Sequence, residues 1–254
     1  MTTSQHAFVA EYYGVRARDY VTSLVHSEGA DLDQVEAELR GCATARVLDL
    51  GCGGGHVSYR AAAHVAEVVA CDVTASMLDA VATTAAERGL ANITVRQGAA
   101  ENLPFSDAVF DVVLSRFSAH HWQNMEAGLR EARRVLKRGC RAMFIDVVAP
   151  ADALLDTHLQ AVEVLRDVSH ARDYSAAEWT AALSRSGFAI DGMTTRRLRM
   201  DFPVWIARTR TPAVHAEAIR SLQTGAPAVV KDHFAITDDG SFDIEVATLM
   251  ARAV

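Results

Sequence analysis

The chain has 254 residues, 50% of them hydrophobic and 22% charged, with a formal charge of -7. That length can bury a core without disulfide or metal staples, and the acidic balance leaves no overall basic footprint for nucleic acid. The local basic run Arg196, Arg197, Arg199 reads as a solvated strand end. Cys42, Cys52, Cys71 and Cys140 form no C-x-x-C pair, which argues against a structural zinc site. They sit in or beside apolar segments, as free thiols do in a reducing compartment. Residues 1–10 lack a basic stretch followed by an apolar one, and no apolar run approaches the roughly 18 residues of a membrane span. The expectation is a cytoplasmic, soluble protein with no membrane insertion.

Residues 6–40 carry Phe8, Tyr12, Tyr13, Tyr20, Leu24, Val25, Leu32, Val35 and Leu39 mostly at helical spacing, broken at Gly29, with Asp31 as cap of the second helical stretch. Strands and helices then alternate. Strands are expected at 46–50, 68–71, 93–96, 110–114 and 142–148, and helices at 57–64, 74–88 and 125–136. Thr74 or Ser76 would cap the second of these helices, and Lys137, Arg138 and Gly139 would close the third. This alternation predicts an α/β fold with a parallel, doubly wound sheet and helices on both faces. Ligands in such sheets bind beyond the carboxyl ends of the strands. After Pro150 the pattern gives helices at 154–168 and 176–186, a strand at 189–200, and a helical stretch at 204–222 interrupted by Thr211-Pro212. A last strand pair or hairpin is expected within 233–250.

The densest motif is Val47-Leu48-Asp49-Leu50-Gly51-Cys52-Gly53-Gly54-Gly55-His56, a strand running through glycines into a helix. Glycines permit positive φ and let a ligand press against bare backbone. Such a loop serves nicotinamide dinucleotides or S-adenosylmethionine. The dinucleotide pattern G-x-G-x-x-G fails in both registers, because His56 or Ser58 stands where the third glycine belongs. Asp49 would repel a pyrophosphate but can meet an amino group or order the loop. Asp72 follows the second strand, 21 residues after Gly51, where a carboxylate can accept from both ribose hydroxyls or cap the next helix.

Four ordered blocks, V-L-D-L-G-C-G-G-G, A-C-D-V-T-A-S-M-L, A-E-N-L-P-F and F-D-V-V-L-S-R, span residues 46–147 together with the strand after them. As a set they resemble the class I S-adenosylmethionine-dependent methyltransferases, in particular the ubiquinone/menaquinone biosynthesis methyltransferase-like group. The resemblance implies a Rossmann-like sheet of seven strands, mostly parallel with the last antiparallel. It also implies S-adenosylmethionine as cofactor. Asp49, Gly51 and Gly53 would hold its methionine portion and ribose, and Asp72 the ribose. Val73 and Met77 would contact adenine, though Met77 equally suits a core position. Ala100 and Glu101 would present backbone to the adenine edge, and Ser115 and Arg116 would lie beneath the methyl. Where relatives often carry Asp or Asn before the A-E pair, this chain has Ala99, so no side-chain clamp on the adenine amine is expected there.

Methyl transfer is an in-line displacement in which positioning and desolvation carry much of the catalysis. An acceptor that loses a proton also gains from a base. Arg116, His120 and His121, in the run Arg116-Phe117-Ser118-Ala119-His120-His121-Trp122 after the fourth strand, are the catalytic candidates. The competing reading has one histidine bonded to loop backbone and the other facing solvent. No metal is expected, since adjacent loop histidines rarely share an ion and no carboxylate accompanies them. His158, Arg166, His170 and Tyr174 on the polar helix and loop after the fifth strand are acceptor candidates, suited to a polar or anionic molecule or an enolate-like intermediate. A solvated helix face is the alternative there. The N-terminal helix reads as a lid. Tyr13, Arg18 and Tyr20 would close over the methionine carboxylate and the sulfonium, where an aromatic face attracts a cation, with Tyr20 preferred as the cofactor contact and Tyr13 counted with the acceptor contacts; core packing is the alternative. The organisation read is one domain over 1–254: lid 1–40, cofactor core 41–150, acceptor-side insertion 151–175 and a C-terminal part 176–254. The function read is methyl transfer to a small molecule. A nicotinamide-dependent oxidoreductase and a catalytically silent S-adenosylmethionine-binding protein are the alternatives, and homo-oligomerisation stays open.

Overall fold

The structure is a computed structural model that describes residues 4–14 and 29–254. Helices α1 (Gln5–Gly14) and α2 (Ala30–Leu39) lead into β1 (Arg46–Leu50), α3 (His56–Ala62), β2 (Glu67–Asp72), α4 (Ala75–Glu87) and β3 (Ile93–Gln97). The second half runs β4 (Phe110–Arg116), a short 3-10 turn (Ala119–His121), α5 (Met125–Val135), β5 (Leu136–Ala149), α6 (Ala153–Arg166), β6 (Tyr174–Ser175), α7 (Ala176–Arg185) and β7 (Phe188–Met200). It ends with α8 (Phe202–Arg208), α9 (Ala213–Gly225), α10 (Ala228–His233) and β8 (Phe242–Ala253). The sheet order is β3-β2-β1-β4-β5-β8-β7, with the short β6 paired to β5 off that path. Every pairing is parallel except those of β8, which is antiparallel to both β5 and β7. The chain winds outward from β1 in one direction and from β4 in the other, so the crevice between those two strands is the topological switch point.

The apolar runs of the strands are explained by burial on both faces. On one face, Leu48, Leu50, Val113 and Phe144 pack against Leu129 of α5 and Trp179 and Leu183 of α7. On the other, Val47, Val112, Leu114 and Ile145 pack against Leu32, Val35 and Leu39 of α2 and Val57 of α3. A third apolar cluster joins Val147 and Ile244 to Leu159 and Val162 of α6 and to Trp205 of α8.

The structure departs from the sequence reading in three places. Asp31 does not cap α2; Gly29 holds that position, and Asp31 is drawn inward as the buried ion partner of Arg116 at the end of β4. Lys137, Arg138 and Gly139 do not close α5 but lie within β5. There the β4–β5 register shifts between Phe110 and Val112 and the extra residues are absorbed as a bulge. No hairpin forms within 233–250. α10 ends at His233, and the alternating residues beyond it make the single strand β8, whose partners are the distant β5 and β7. Among the described residues no helix is long and apolar enough to cross a membrane.

Trp179 is 1% exposed, and its indole N–H meets no acceptor among the described residues. Trp179→Ala should therefore destabilise by about 3–5 kcal/mol. Trp179→Phe, which removes the unpaired donor and keeps most of the volume, should lose well under half of that. Denaturant midpoints of the two variants against the parent check the order.

Candidate active site

At the carboxyl edge of β1, β2, β4 and β5 lies one cleft with about 1540 Å³ of empty volume, counting its open mouth. One half is walled by Asp49, Gly51, Gly53, Asp72, Val73, Met77, Ala100 and Glu101. The other is walled by Tyr13, Arg116, Phe117, His120, His121, Glu163, Arg166, Asp173 and Trp205.

The first half is shaped by carboxylates at strand ends. Ser58 Oγ, one turn into α3, donates to Asp49 Oδ2 at 2.6 Å. Burial pushes the Asp49 carboxyl up to about 7, against the opposing pull of the Ser58 hydrogen bonds. Asp72 receives Gly53 N on one oxygen at 2.9 Å and Thr74 N on the other at 2.8 Å. It thus ties the glycine loop to the start of α4, and burial raises it too, with those bonds opposing. Thr74 occupies the cap position of α4 without a side-chain bond to the helix backbone; its side chain bonds Asp72 instead. Gly51 and Gly53 have φ of 69° and 48°. A Cβ on Gly51 would strike the Ser118 side chain, whereas one on Gly53 would meet nothing within 4 Å. The space over Gly53, flanked by the buried Asp49 and half-buried Asp72 carboxyls and by apolar Val73 and Met77, suits S-adenosylmethionine: cationic at one end, hydroxylated in the middle, flat and apolar at the other. Glu101 is already engaged, by His6 Nε2 at 2.9 Å and by Asn124 N at 3.1 Å.

The second half begins where β4 ends. Phe117 takes φ of 50°, a strained value for a residue with a side chain, and its N–H donates to Ile145 O at 2.8 Å. That turn delivers the following residues to β5, where Asp146 is buried in an apolar run. Ala119 N donates to Asp146 Oδ2 at 2.9 Å, and Val147 N to Oδ1 at 2.8 Å. His120 Nδ1 bonds the same Oδ1 at 2.6 Å. Burial alone would lower the His120 pKa, but the charge and hydrogen bond of Asp146, with Asp173 and Glu163 behind it, push it up to about 9. His121 is pushed down to about 4 by burial and by the neighbouring His120 charge. Its Nε2 faces the Tyr13 hydroxyl at 3.1 Å. That hydroxyl donates in a short bond to Asp167 Oδ2, and on the other side of the ring Nδ1 faces Ser169 O at 3.3 Å. Arg116, paired with Asp31, completes the wall with its guanidinium 4.7 Å above the Phe117 ring.

Several sequence candidates stand elsewhere. Ser115 is 3% exposed within β4 and is not part of the cleft wall, where Ser118 stands instead. His170 is buried behind His120, their rings 5.7 Å apart, with Nε2 3.1 Å from Gln160 Oε1. His158 packs on Phe234, and Tyr174 belongs to β6 beside the core; neither lines the cleft. Tyr20 and Arg18 lie outside the described residues. The premise that no carboxylate accompanies the histidines fails. His120, Asp146 and Asp173 bring ligand-type atoms within 4.8 Å of one another, although both Asp146 oxygens are engaged by backbone N–H groups. The sequence reading passes over Asp146, Trp205, Leu198, Met200 and Ile244. For Asp146 a signal existed: a lone acid in Phe144-Ile145-Asp146-Val147-Val148, at the edge where ligands bind.

The His120 pair has a stability signature. Its folded pKa of about 9 exceeds the reference 6.5, so its contribution is fully present below 6.5 and is lost as pH rises through 9. The amount is on the order of 3 kcal/mol. The stability difference between the parent and His120→Gln should shrink over that window in urea titrations. A difference independent of pH between 6 and 10 would refute the pairing.

Residues 48–144 match the family described as "Methyltransferase domain". The protein YafE of Escherichia coli is 44% identical over 202 residues, covering 80% of this chain and 98% of that protein. The methyltransferase YcgJ of Bacillus subtilis is 34% identical over 225 residues, 89% of each chain. The crystal structure of YcgJ superposes with a TM-score of 0.84 at 32% identity, covering 87% of this chain and 97% of that one. The ubiquinone/menaquinone biosynthesis C-methyltransferase UbiE of Sinorhizobium fredii is 30% identical over 170 residues, 56% of this chain and 66% of that protein. With a doubly wound sheet, a glycine loop held between two strand-end carboxylates and relatives along nearly its whole length, the chain belongs to the class I S-adenosylmethionine-dependent methyltransferases.

Proposed function

We propose that Asp49, Gly51, Gly53, Asp72, Val73, Met77, Ala100 and Glu101 hold S-adenosylmethionine, and that a small-molecule acceptor lies against Tyr13, Arg116, His120, His121 and Arg166. The observation that carries this reading is continuity: a single cavity joins the Asp49–Asp72 end to the His120 end. When bound, S-adenosylmethionine supplies a methyl group on a sulfonium. The raised Asp49 carboxyl faces that positive charge, which favours its ionised form. Asp72 keeps lone pairs for the ribose beyond those used by Gly53 and Thr74.

His120 is an imidazolium at neutral pH, so its role is to donate to negative charge on an acceptor oxygen rather than to wait as a base. An enol- or phenol-like oxygen, or a carbon activated by one, suits such a donor. His121, neutral and fixed by Tyr13 and Ser169, positions the lid. His170 is held neutral behind His120, and Tyr174, His158 and Ser115 stand outside the cleft wall. The organisation that goes with this is one methyltransferase domain, with α1 as lid, 41–150 as cofactor core, 151–175 as acceptor-side insertion and 176–254 completing the sheet; α2, within the 1–40 read as lid, packs into the core. A charge of -7 supports a small molecule over nucleic acid, and four free cysteines support a cytoplasmic setting.

Calorimetry should detect S-adenosylhomocysteine binding, weakened about tenfold or more by Asp72→Ala. Labelled S-adenosylmethionine incubated with a cell metabolite extract should mark one small compound. His120→Gln should lower that transfer by about 10²–10³ with cofactor affinity kept, and should remove an alkaline limb of kcat/KM near 9. Undiminished transfer by His120→Gln would discard its role; cofactor binding with no labelled product would leave a silent binder.

A further inference from the structure

The acceptor half of the cleft has a floor of two carboxyls, both raised by burial and Asp173 well above its usual range, so it is inhospitable to a further negative charge. Asp173, on the segment before β6, and Glu163, on α6, both line the cleft while being 1% and 6% exposed. Among the described residues Asp173 Oδ2 is buried without a hydrogen-bond partner. His170 Nε2 stands 3.8 Å from it, beyond hydrogen-bond reach. The backbone of Asp173 is clamped by a single side chain: Asp173 N donates to Gln160 Oε1 at 3.1 Å, and Gln160 Nε2 donates to Asp173 O at 2.8 Å. The carboxyl is thus held in place by a tie that leaves its own oxygen unused. An unsatisfied buried acceptor is costly, and a donor on a ligand would recover that loss.

The surroundings narrow the ligand. Val147, Leu198, Met200, Trp205 and Ile244 make apolar walls above the floor. Arg166 does not convert the floor to an anion site. It lies 3.7 Å from Glu163, stacks 5.0 Å from the Trp205 ring centre and donates from Nε to Trp205 O. Arg208 faces the same cleft, and an anionic probe measures whether it outweighs the carboxyls.

We propose that Asp173, with Glu163 beside it, is the anchoring subsite for the methyl acceptor, taking a hydroxyl or ammonium group of an otherwise apolar small molecule and disfavouring carboxylates. The proposal rests on the acceptor lying in this half of the cleft, and it replaces an anionic acceptor by a protic one.

Three probes of one shape test it: benzyl alcohol, benzylammonium and benzoate, titrated into protein saturated with S-adenosylhomocysteine and followed by saturation-transfer NMR. At least one of the two donor probes should bind, benzoate about tenfold more weakly, and Asp173→Leu should weaken the donor about tenfold. Asp173→Asn, nearly isosteric, keeps an acceptor without charge. It should retain benzyl alcohol and lose benzylammonium, which tells the two donors apart. Benzoate binding as tightly as the donors, donor binding indifferent to Asp173→Leu, or no donor binding would each overturn the proposal. Saturable Mn²⁺ binding by electron paramagnetic resonance, abolished in Asp173→Asn, would overturn it in favour of a cation site with His120 and Asp146. S-adenosylhomocysteine affinity, measured on the same samples, separates failure of this subsite from failure of the methyltransferase reading and confirms that the variants fold.

Discussion

A carboxylate buried at the end of a parallel strand is costly unless donors surround it. This sheet sets three carboxylates on its ligand edge, Asp49 and Asp146 buried and Asp72 half-buried. Asp49, Asp72 and Asp146 stand at or near the carboxyl ends of β1, β2 and β5, and each is stabilised by groups from a loop or helix outside its own strand. Asp49 draws in the first turn of α3, Asp72 the glycine loop and Asp146 the turn after β4. Meeting the hydrogen-bond demand of three acids thereby shapes the glycine loop, the first turn of α3 and the turn after β4. The chemistry arises from the same demand, because the acid that holds the β4 turn also holds the proton on His120.

The cluster of imidazoles shows how charge is rationed in a confined space. The His120 and His121 rings are 4.2 Å apart. Two positive charges at that distance repel by about 4 kcal/mol at an effective dielectric near 20. Only one ring can therefore carry a charge near neutrality, and Asp146 selects His120. His121 and His170 are left neutral by burial and by that neighbour. Identical side chains, even adjacent ones, thus do different work because one carboxylate lies nearer to one of them.

Much of the fold and the cofactor half was legible in sequence, for a physical reason. A strand, a tight turn and a helix start form a local unit, so Val47–His56 and Ala70–Leu78 carry their geometry within a few residues. The acceptor half is assembled across the sheet. Asp146 meets His120 through the β4–β5 pairing, and Trp205 reaches the cleft from α8, so no short window contains both partners. The same limit explains Asp31, whose helix-start position was readable but whose partner, Arg116, lies 85 residues away. It explains β8 as well: strand structure within 233–250 was expected, while the identity of its neighbours depended on a sheet edge built earlier in the chain.

The bond from Gly53 N to Asp72 reaches beyond geometry. Glycine-rich segments have the most conformational freedom to lose, and fixing a flexible backbone takes about 1–2 kcal/mol per residue. Here the folded chain itself meets part of that loss, through a carboxylate belonging to the next strand. A ligand that arrives at the loop finds its shape already set, and its contacts can go into affinity rather than into ordering the backbone. The stiffness of the glycine loop is therefore a property of the end of β2, not of the glycines alone.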